Sequence, residues 1–556
     1  MKKIYILLCV AFEGLAPGAN AQAPFPTMDS ITINNINAAI LVHGDMWWNP
    51  ATSAPKCVLE GTMGHIISNA GAIWMSGYDG SGALHIAAQT YRQDGNDYWP
   101  GPLDASGALT YTTSQSWAKI WKVYRSDIEY FLSLGTHTTA NTPQMILTWP
   151  AKGNAYAQGN AGATLTITDN MAPFVDLNGN GIYEPLLGEY PNIPGDEALW
   201  WVFSDNGPTH SQTNGRSLDV EVHVMCYGYH RGTTIDNVVY YVYTLVNKSA
   251  NNYSNFRIAQ WDDVQIQYPH DDFIGFDSVW RMGINYNGVP CDSCSGAGTP
   301  PEPGIPSPSS AVTMVVLPGD VPPGYVPAGS FTYYNNDSSI IGFPYVDTQY
   351  DNYMRSKSKT GSHVMDDFQG PGIPSTGYNP GPDCNYVFTG NPSNNAQWSE
   401  CSANNNPGSR CSILSSNDFV LNTGGTQVVV FALIAADTVG GCPYTSFDSI
   451  RVVADTAWKD YFTPLLPSAV ASVVSAQSSI TLHPNPAHDE LYIEDGSNNT
   501  GDASITIYNV IGQVMTVPVQ NNAQQSQVDV SMLPDGLYNV LYRKGTTQTC
   551  VKFVKE

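Results

Sequence analysis

The amino-acid sequence predicts a mostly β protein, with a large antiparallel β-sandwich body, few helices and a small Ig-like β-sandwich domain at the carboxy-terminal end. Two observations lead to this fold class. Short runs of β-branched and aromatic residues recur along the chain between turns rich in Asn, Ser and Gly. Helical periodicity is scarce, so these runs do not alternate with helices as they would in βαβ units.

Residues 1–21 have the features of a secretory signal peptide. Lys2 and Lys3 precede an apolar run over residues 4–12, and Ala19-Asn20-Ala21 gives the small-x-small pattern of a cleavage site. The apolar run is about half the length of a membrane span, and no later stretch reaches about 18 apolar residues. We therefore expect a removable signal and no transmembrane segment in the mature chain.

The strands of the body follow in order. In residues 220–226, Val alternates with Glu, His and Met, which indicates a strand with two different faces. The other predicted strands are residues 31–42, 84–91, 163–167, 238–246, 255–261, 313–317 and 427–435. One amphipathic helix is predicted over residues 449–462, and a second begins at Ser126, with Glu129 completing a capping box.

Composition sets the domain boundaries. A chain of 556 residues is too long to fold around one small core. We expect a β-rich body over residues 22–465, with irregular Pro- and Gly-rich excursions near 291–330 and 370–412. A small, uncharged linker over residues 466–477 then leads into a domain over residues 478–556.

The charge balance excludes one class of partner. The chain has 23 Lys and Arg against 48 Asp and Glu, for a net charge of −25. Such a chain repels phosphate, so nucleic acid is not an expected partner. Divalent cations are the more natural counter-charge.

Ten cysteines indicate an oxidising compartment, and one of them, Cys9, lies in the signal. The odd number that remains leaves at least one unpaired within the chain. Cys291 and Cys294 are expected to form a structural disulfide, because they lie in a Gly/Pro-rich stretch rather than between a strand and a helix. Cys384, Cys401 and Cys411 are expected to cross-link the irregular segment 370–412.

The sharpest chemical pattern is a calcium-type loop that begins at Asp176. Oxygen-bearing side chains stand at positions one, three and five, Gly181 at six and a carboxylate at nine, as in the first part of an EF-hand loop. Position twelve is Leu187, so Glu189 or Asp196 would have to complete the shell. The alternative is a plain Asx-rich turn. The predicted ligands are Asp176, Asn178, Asn180, Ile182 through its carbonyl, and Glu184.

A second carboxylate group follows the strand at residues 255–261. It could bind a cation, form a solvated loop, or supply the general acid and base of a glycosidase, whose two carboxyl groups lie about 5 to 10 Å apart. Its members are Asp262, Asp263, Asp271, Asp272 and Asp277.

Tryptophan pairs are conspicuous, and their rings could stack on sugars or pack in the core. Because neighbouring residues of a strand face opposite ways, only one member of each pair could join a platform. The residues concerned are Trp47, Trp48, Trp74, Tyr98, Trp99, Trp200, Trp201 and Trp261. We find no H-E-x-x-H, G-x-S-x-G, P-loop or G-x-G-x-x-G motif.

The carboxy-terminal residues carry four motifs in order. They are Pro484-Asn485-Pro486, Ile507-Tyr508-Asn509 followed by Gly512-Gln513, Leu533-x-x-Gly536-x-Tyr538, and Lys552-Phe553-x-Lys555. This pattern resembles the type A sorting domain of cargo of the type IX secretion system. The resemblance implies engagement of the type IX machinery and a protein that is secreted or attached to the outer surface of a Gram-negative bacterium.

The body resembles an uncharacterised family of large secreted proteins that carry the same sorting domain, through Gly44-Asp45-Met46-Trp47 and Asp97-Tyr98-Trp99-Pro100 among other segments. That resemblance implies no activity. With the calcium loop, the sequence predicts a surface protein for binding, adhesion or scaffolding, with structural calcium and a glycan or surface protein as ligand. The alternative is a secreted hydrolase that acts on polysaccharide through the carboxylates of residues 262–277.

Overall fold

The structure is a computed structural model that describes most of the chain. The described residues are 27–60, 65–91, 95–289, 307–314, 325–362, 384–438, 442, 445–462, 480–495, 503–509, 514–515, 517–521, 525–534, 536–544 and 547–555. Three of the sequence predictions lie outside them: the signal peptide, the linker over residues 466–477 and the Cys291–Cys294 disulfide.

The described part of the body is built from 24 strands and five α-helices. The strands are β1 (Met28–Ile31), β2 (Ile36–Leu41), β3 (Asp45–Met46), β4 (Trp48–Asn49), β5 (Ala54–Pro55), β6 (Cys57–Leu59), β7 (His65–Ser68), β8 (Ala70–Tyr78), β9 (Leu84–Ala88), β10 (Trp99–Pro100), β11 (Trp121–Tyr124), β12 (Phe174–Val175), β13 (Tyr190–Pro191), β14 (Glu197–Ser204), β15 (Val220–Gly228), β16 (Val238–Asn247), β17 (Tyr253–Asp263), β18 (Asp272–Asp277), β19 (Met282–Asn287), β20 (Ser307–Met314), β21 (Ala328–Asn335), β22 (Arg410–Ser416), β23 (Phe419–Leu421) and β24 (Thr426–Thr438). The helices are α1 (Tyr111–Trp117), α2 (Arg125–Ser133), α3 (Gln144–Leu147), α4 (Asp347–Met354) and α5 (Asp448–Phe462).

Two large antiparallel sheets form the body. The first has 11 strands in the order β21-β22-β17-β8-β3-β2-β6-β7, with β1 paired to β2, β23 to β17 and β9 to β8. The second has nine strands in the order β10-β14-β15-β16-β24-β20-β19-β18, with β11 also paired to β14. The predicted fold class, a mostly β chain with a large antiparallel sandwich, is confirmed.

The main core lies between the two sheets, because alternate residues of each strand point inward. On β15, Val220, Val222 and Val224 belong to this core, while Met225 lies in a second cluster on the opposite face of the sheet. That second cluster also includes buried residues of α2, α3 and α5. A third cluster, on the outer face of the 11-stranded sheet, includes Tyr350, Tyr353 and Met354 of α4. Each large sheet is thus buried on both faces.

Three local predictions have different outcomes. The helix predicted at 449–462 is confirmed as α5. The helix near Ser126 forms as α2, but its N-cap residue is Tyr124 and no side chain caps it, so the capping box is wrong. Residues 163–167 do not form a strand: the segment makes a single bridge, between Gln158 and Thr164.

The predicted cross-linking of segment 370–412 needs a correction. Cys401 forms a disulfide with Cys442, which lies 41 residues further on and outside that segment. Cys384 and Cys411 are free thiols, as are Cys57 and Cys226. The disulfide therefore links the irregular segment covalently to the residues that precede α5.

The carboxy-terminal module is a small sandwich of two four-stranded antiparallel sheets. Its strands are β25 (Ile480–His483), β26 (Glu490–Asp495), β27 (Ala503–Asn509), β28 (Val514–Met515), β29 (Val519–Asn521), β30 (Gln525–Asp529), β31 (Gly536–Lys544) and β32 (Thr547–Lys555). The sheet orders are β25-β26-β30-β29 and β28-β27-β31-β32. Leu491 and Val528 of one sheet share a core with Ile507, Val540 and Phe553 of the other.

None of the helices in the described part of the chain is long and apolar enough to cross a membrane.

Candidate functional site

The loop that begins at Asp176 gathers its oxygen-bearing side chains around one turn. The Asp176 carboxylate accepts hydrogen bonds from the backbone N–H groups of Gly179 and Gly181, both at 2.7 Å. Glu184 accepts from the side-chain amides of Asn178, at 2.9 Å, and Asn180, at 2.7 Å. All four predicted side-chain ligands therefore take part in this turn.

Glu189 bonds to the backbone of this loop at two points. Its two oxygens accept from the N–H groups of Leu177, at 3.1 Å, and Glu184, at 2.7 Å, and the residue is fully buried. Burial raises the pKa of the Glu189 carboxyl, and the nearby charge of Asp176 raises it further. The loop thus concentrates negative charge, an environment in which a hard cation would be favoured.

The ligand atoms of this loop are of the type that calcium prefers. Carboxylate and amide oxygens suit a cation that takes six to eight oxygen ligands. Asn178 and Asn180 turn their amide nitrogens toward Glu184, while their amide oxygens accept from the backbone N–H groups of Asn180 and Ile182. A cation beside Glu184 would require both amides to rotate and to give up these two backbone bonds. Three aliphatic side chains of this segment are exposed: Leu177 (60%), Ile182 (42%) and Leu187 (64%).

Asp262 and Asp263 end β17 and face opposite sides of the 11-stranded sheet. Asp262 points between the sheets, where it accepts hydrogen bonds of 2.5 Å from Ser68 Oγ and from Asn285 Nδ2 of β19. Asp263 points to the outer face and accepts from the Tyr91 hydroxyl and, at 2.9 Å, from the Asn69 amide. Burial raises the pKa of Asp262 to about 7.

The remaining three carboxylates lie on or beside β18. Asp272 and Asp277 are its two end residues, five positions apart, which is roughly 17 Å along a strand and places them on opposite faces. Asp277 forms an ion pair of 2.6 Å with Arg451 of α5. Asp271 is mostly buried, and burial raises its pKa to about 6. The five carboxylates do not face solvent as the solvated-loop alternative expected, since all five are buried.

The tryptophans pack in the interior. Trp47 and Trp48 lie in different core clusters, as do Trp200 and Trp201, so the members of each pair face opposite ways as expected. All eight aromatic residues considered for sugar stacking are at most 4% exposed: Trp47, Trp48, Trp74, Tyr98, Trp99, Trp200, Trp201 and Trp261. They do not form an exposed platform.

An exposed apolar surface that the sequence analysis missed lies on residues 340–346, just before α4. We name this surface the 340–346 patch, and its exposed members are Ile340 (43%), Phe343 (37%), Tyr345 (55%) and Val346 (43%). Lys359 lies over the Tyr345 ring, with Nζ 5.2 Å from the ring centroid. The clustering of four large apolar residues in a polar loop was the available sequence signal.

The loop that carries the patch is held in place. Tyr353 of α4 donates a hydrogen bond of 2.7 Å to the carbonyl of Gly342, and Lys359 Nζ donates one of 3.2 Å to that of Phe343. Tyr345 N–H donates to the side chain of Gln349 at 2.7 Å. The exposed rings therefore stand on a supported backbone.

In the carboxy-terminal module, the described residues of the sequence motifs fall on connected parts of the sandwich, while Gly512 and Gln513 lie outside the described residues. Asn485 contacts β32, Ile507 and Phe553 lie in the shared core, and Tyr538 stacks on Phe553 with ring centroids 5.4 Å apart. Residues 481–556 match the family described as "Secretion system C-terminal sorting domain". The carboxy-terminal module is a type IX sorting domain. The protein is accordingly secreted or attached to the outer surface of a Gram-negative bacterium, as the sequence predicted.

Other comparisons with known proteins add little to the sorting domain. No curated protein matches the chain. A solved structure described as a polysaccharide lyase matches at 9% identity and a TM-score of 0.17, over 62% of this chain and 34% of that one. The chain thus spans about a third of that structure's length, and a likeness of this size carries no argument.

Proposed function

We propose that the body acts at the cell surface by binding, as an adhesion or scaffolding protein, rather than by catalysis. The 340–346 patch is the observation that carries this proposal. Clusters of exposed apolar side chains on a supported loop are typical of interaction sites. Phe343 and Tyr345 offer flat rings, and Lys359 beside them adds a cation to a chain of net charge −25.

The hydrolase alternative has less support. It needs two carboxyl groups about 5 to 10 Å apart at one accessible site. Asp262 and Asp263 face opposite sides of a sheet, and Asp272 and Asp277 end the same strand on opposite faces. No further observation favours this alternative.

Replacing Tyr345 tests the binding proposal. We expect Tyr345→Ala to weaken retention of the purified mature protein by at least tenfold, because the variant removes the most exposed ring of the patch. Retention would be measured on a glycan array and on immobilised surface proteins, with release of reducing ends recorded on the same array.

Tyr111→Ala is the matched control, since Tyr111 is also 55% exposed but lies on α1. It should retain ligand like the wild type. Equal retention by wild type and Tyr345→Ala would contradict a role for the patch. Release of reducing ends that Asp262→Asn abolishes would support the hydrolase instead.

We also propose that the loop over Asp176, Asn178, Asn180, Ile182 and Glu184 binds structural calcium, with Glu189 behind it. The support is that hydrogen bonds hold the carboxylates of Asp176 and Glu184 and the amides of Asn178 and Asn180 on one turn. The described residues contain no group of three His, Cys, Asp or Glu side chains placed to hold a metal, so a cation would have to draw these oxygens together. A divalent cation would offset the repulsion between Asp176 and the buried Glu189.

Calcium should raise the melting temperature of the wild type by several degrees relative to chelator, because a ligand that binds only the folded state stabilises it. Asp176→Ala should lose this response. The control is Asp104→Ala, which removes a carboxylate that accepts from Ser106 and Ala108 in another exposed turn. A calcium response that survives in Asp176→Ala would place the site elsewhere.

A further inference from the structure

Residues of the Pro484-Asn485-Pro486 motif contact the outer edge of β32, the last strand of the sorting domain. The Asn485 side chain accepts a hydrogen bond of 2.8 Å from Val554 N–H and donates one of 3.3 Å to the carbonyl of Lys552. Two residues later, Ala487 N–H donates to the Val554 carbonyl at 2.7 Å. Three backbone groups of β32 therefore find partners in the segment 485–487.

These three groups lie on the edge of β32 that points away from β31. In an antiparallel strand, the N–H and C=O of every second residue point to the same side. β32 stands at the end of its sheet, with β31 as its neighbour in the strand order. Lys552 and Val554 thus direct their backbone groups outward, and Asn485 with Ala487 occupies the place of a further strand.

The side chains of β32 alternate between the core and the surface. Phe553 is fully buried in the module core, whereas Lys552 and Val554 are exposed. With the backbone edge covered, the surface that the end of β32 offers is the outer face that carries these two side chains. Lys552 adds a positive charge there to an otherwise acidic chain.

We propose that Asn485 is a positioning residue for export: its side-chain amide stands in for a neighbouring strand and holds β32 so that Lys552 and Val554 face the type IX machinery. An amide side chain has a donor and an acceptor side by side, as a peptide group has. Aspartate would keep only the acceptor, and alanine neither. Pro484 and Pro486 lack N–H groups, so this segment offers no continuous ladder to another chain.

The contribution of two exposed hydrogen bonds is small, but an edge strand is where a small contribution matters. β32 pairs with β31 along its whole length and Phe553 anchors it in the core, so the two bonds of Asn485 act on local opening at Lys552 to Val554, which costs less free energy than unfolding of the module. Loss of both bonds should raise the open fraction by about tenfold. That change applies to the segment beside residues 485–487, since β31 holds the rest of β32.

The test compares export and strand order in the full chain, expressed in a bacterium that has the type IX system. We expect Asn485→Ala to lower the fraction that reaches the outside at least fivefold and to speed amide exchange at Val554 by about tenfold. For Asn485→Asp, both the exported fraction and the rate of amide exchange should lie between those of the wild type and those of Asn485→Ala. Ile493→Val, which alters a buried core residue away from this contact, is the control for stability.

Two results would overturn the proposal. One is normal export of Asn485→Ala despite faster exchange at Val554. The other is an equal loss of export in Ile493→Val at the same melting temperature, which would reduce the role of Asn485 to stability alone. If Asn485→Ala does not fold, Asn485→Asp decides the same question, because it keeps the bond from Val554 and loses only the one to Lys552.

Discussion

Removing the disulfide between Cys401 and Cys442 is expected to lower the free energy of unfolding by about 4 kcal/mol. The bridge closes a loop of 41 residues. Such a cross-link lowers the conformational entropy of the unfolded chain by an amount that corresponds to about this free energy. The loop includes β22, β23 and β24, so the bridge joins both large sheets to the approach of α5. Denaturant unfolding of Cys401→Ser/Cys442→Ser measures the loss.

Cys384→Ser is the matched control for the disulfide. Cys384 is a free thiol of the same irregular segment, and its sulfur bonds to the carbonyl of Tyr386, a contact that a serine hydroxyl can keep. Reductant should lower the midpoint of the wild type by more than it lowers that of the double variant, because only the wild type has the Cys401–Cys442 bridge to lose. If wild type and double variant unfold at the same denaturant concentration under oxidising conditions, the bridge does not form.

Local sequence patterns predicted the parts of the molecule that depend on neighbouring residues. The alternation at Val220, Val222 and Val224 depends only on strand geometry, and β15 follows it. Trp200 and Trp201 face opposite ways for the same reason. The sorting domain was found because its motifs are short and ordered along the chain.

The remaining features depend on contacts between distant residues. The partner of Cys401 lies beyond three further strands, and no local rule selects Cys442. Asp262 meets Ser68 because β8, which begins two residues after Ser68, pairs with β17 and places Gly71 opposite Asp262, although 194 residues separate Ser68 from Asp262. The exposure of Phe343 and Tyr345 likewise depends on how α4 supports their loop.

The interior position of Asp262 predicts how stability changes with pH. Burial raises its pKa from an ordinary value of 3.8 to about 7, against the effect of its bonds from Ser68 and Asn285. The folded protein therefore holds a proton that the unfolded chain releases near pH 4. The stability that this proton provides is complete below about pH 4 and is lost as the pH rises through 7.

Asp262→Asn should remove this pH dependence, because an amide cannot ionise and still accepts from Asn285 while it donates to Ser68. Relative to the wild type, we expect the variant to gain little near pH 4 and about 4 kcal/mol of unfolding free energy at pH 8. Unfolding by denaturant across this range measures the difference, in which the contributions of titrating groups away from Asp262 cancel.

Asp104→Asn is the control, because Asp104 is exposed and its bonds from Ser106 and Ala108 lower its pKa. Its carboxyl is already ionised above pH 4, so its difference from the wild type should stay constant between pH 5 and 8. A constant difference for Asp262→Asn as well would show that Asp262 does not titrate in this range.

A carboxyl that holds its proton to pH 7 could serve as a general acid, but Asp262 lies between two packed sheets with both oxygens bonded. Its titration therefore acts on the stability of the sandwich.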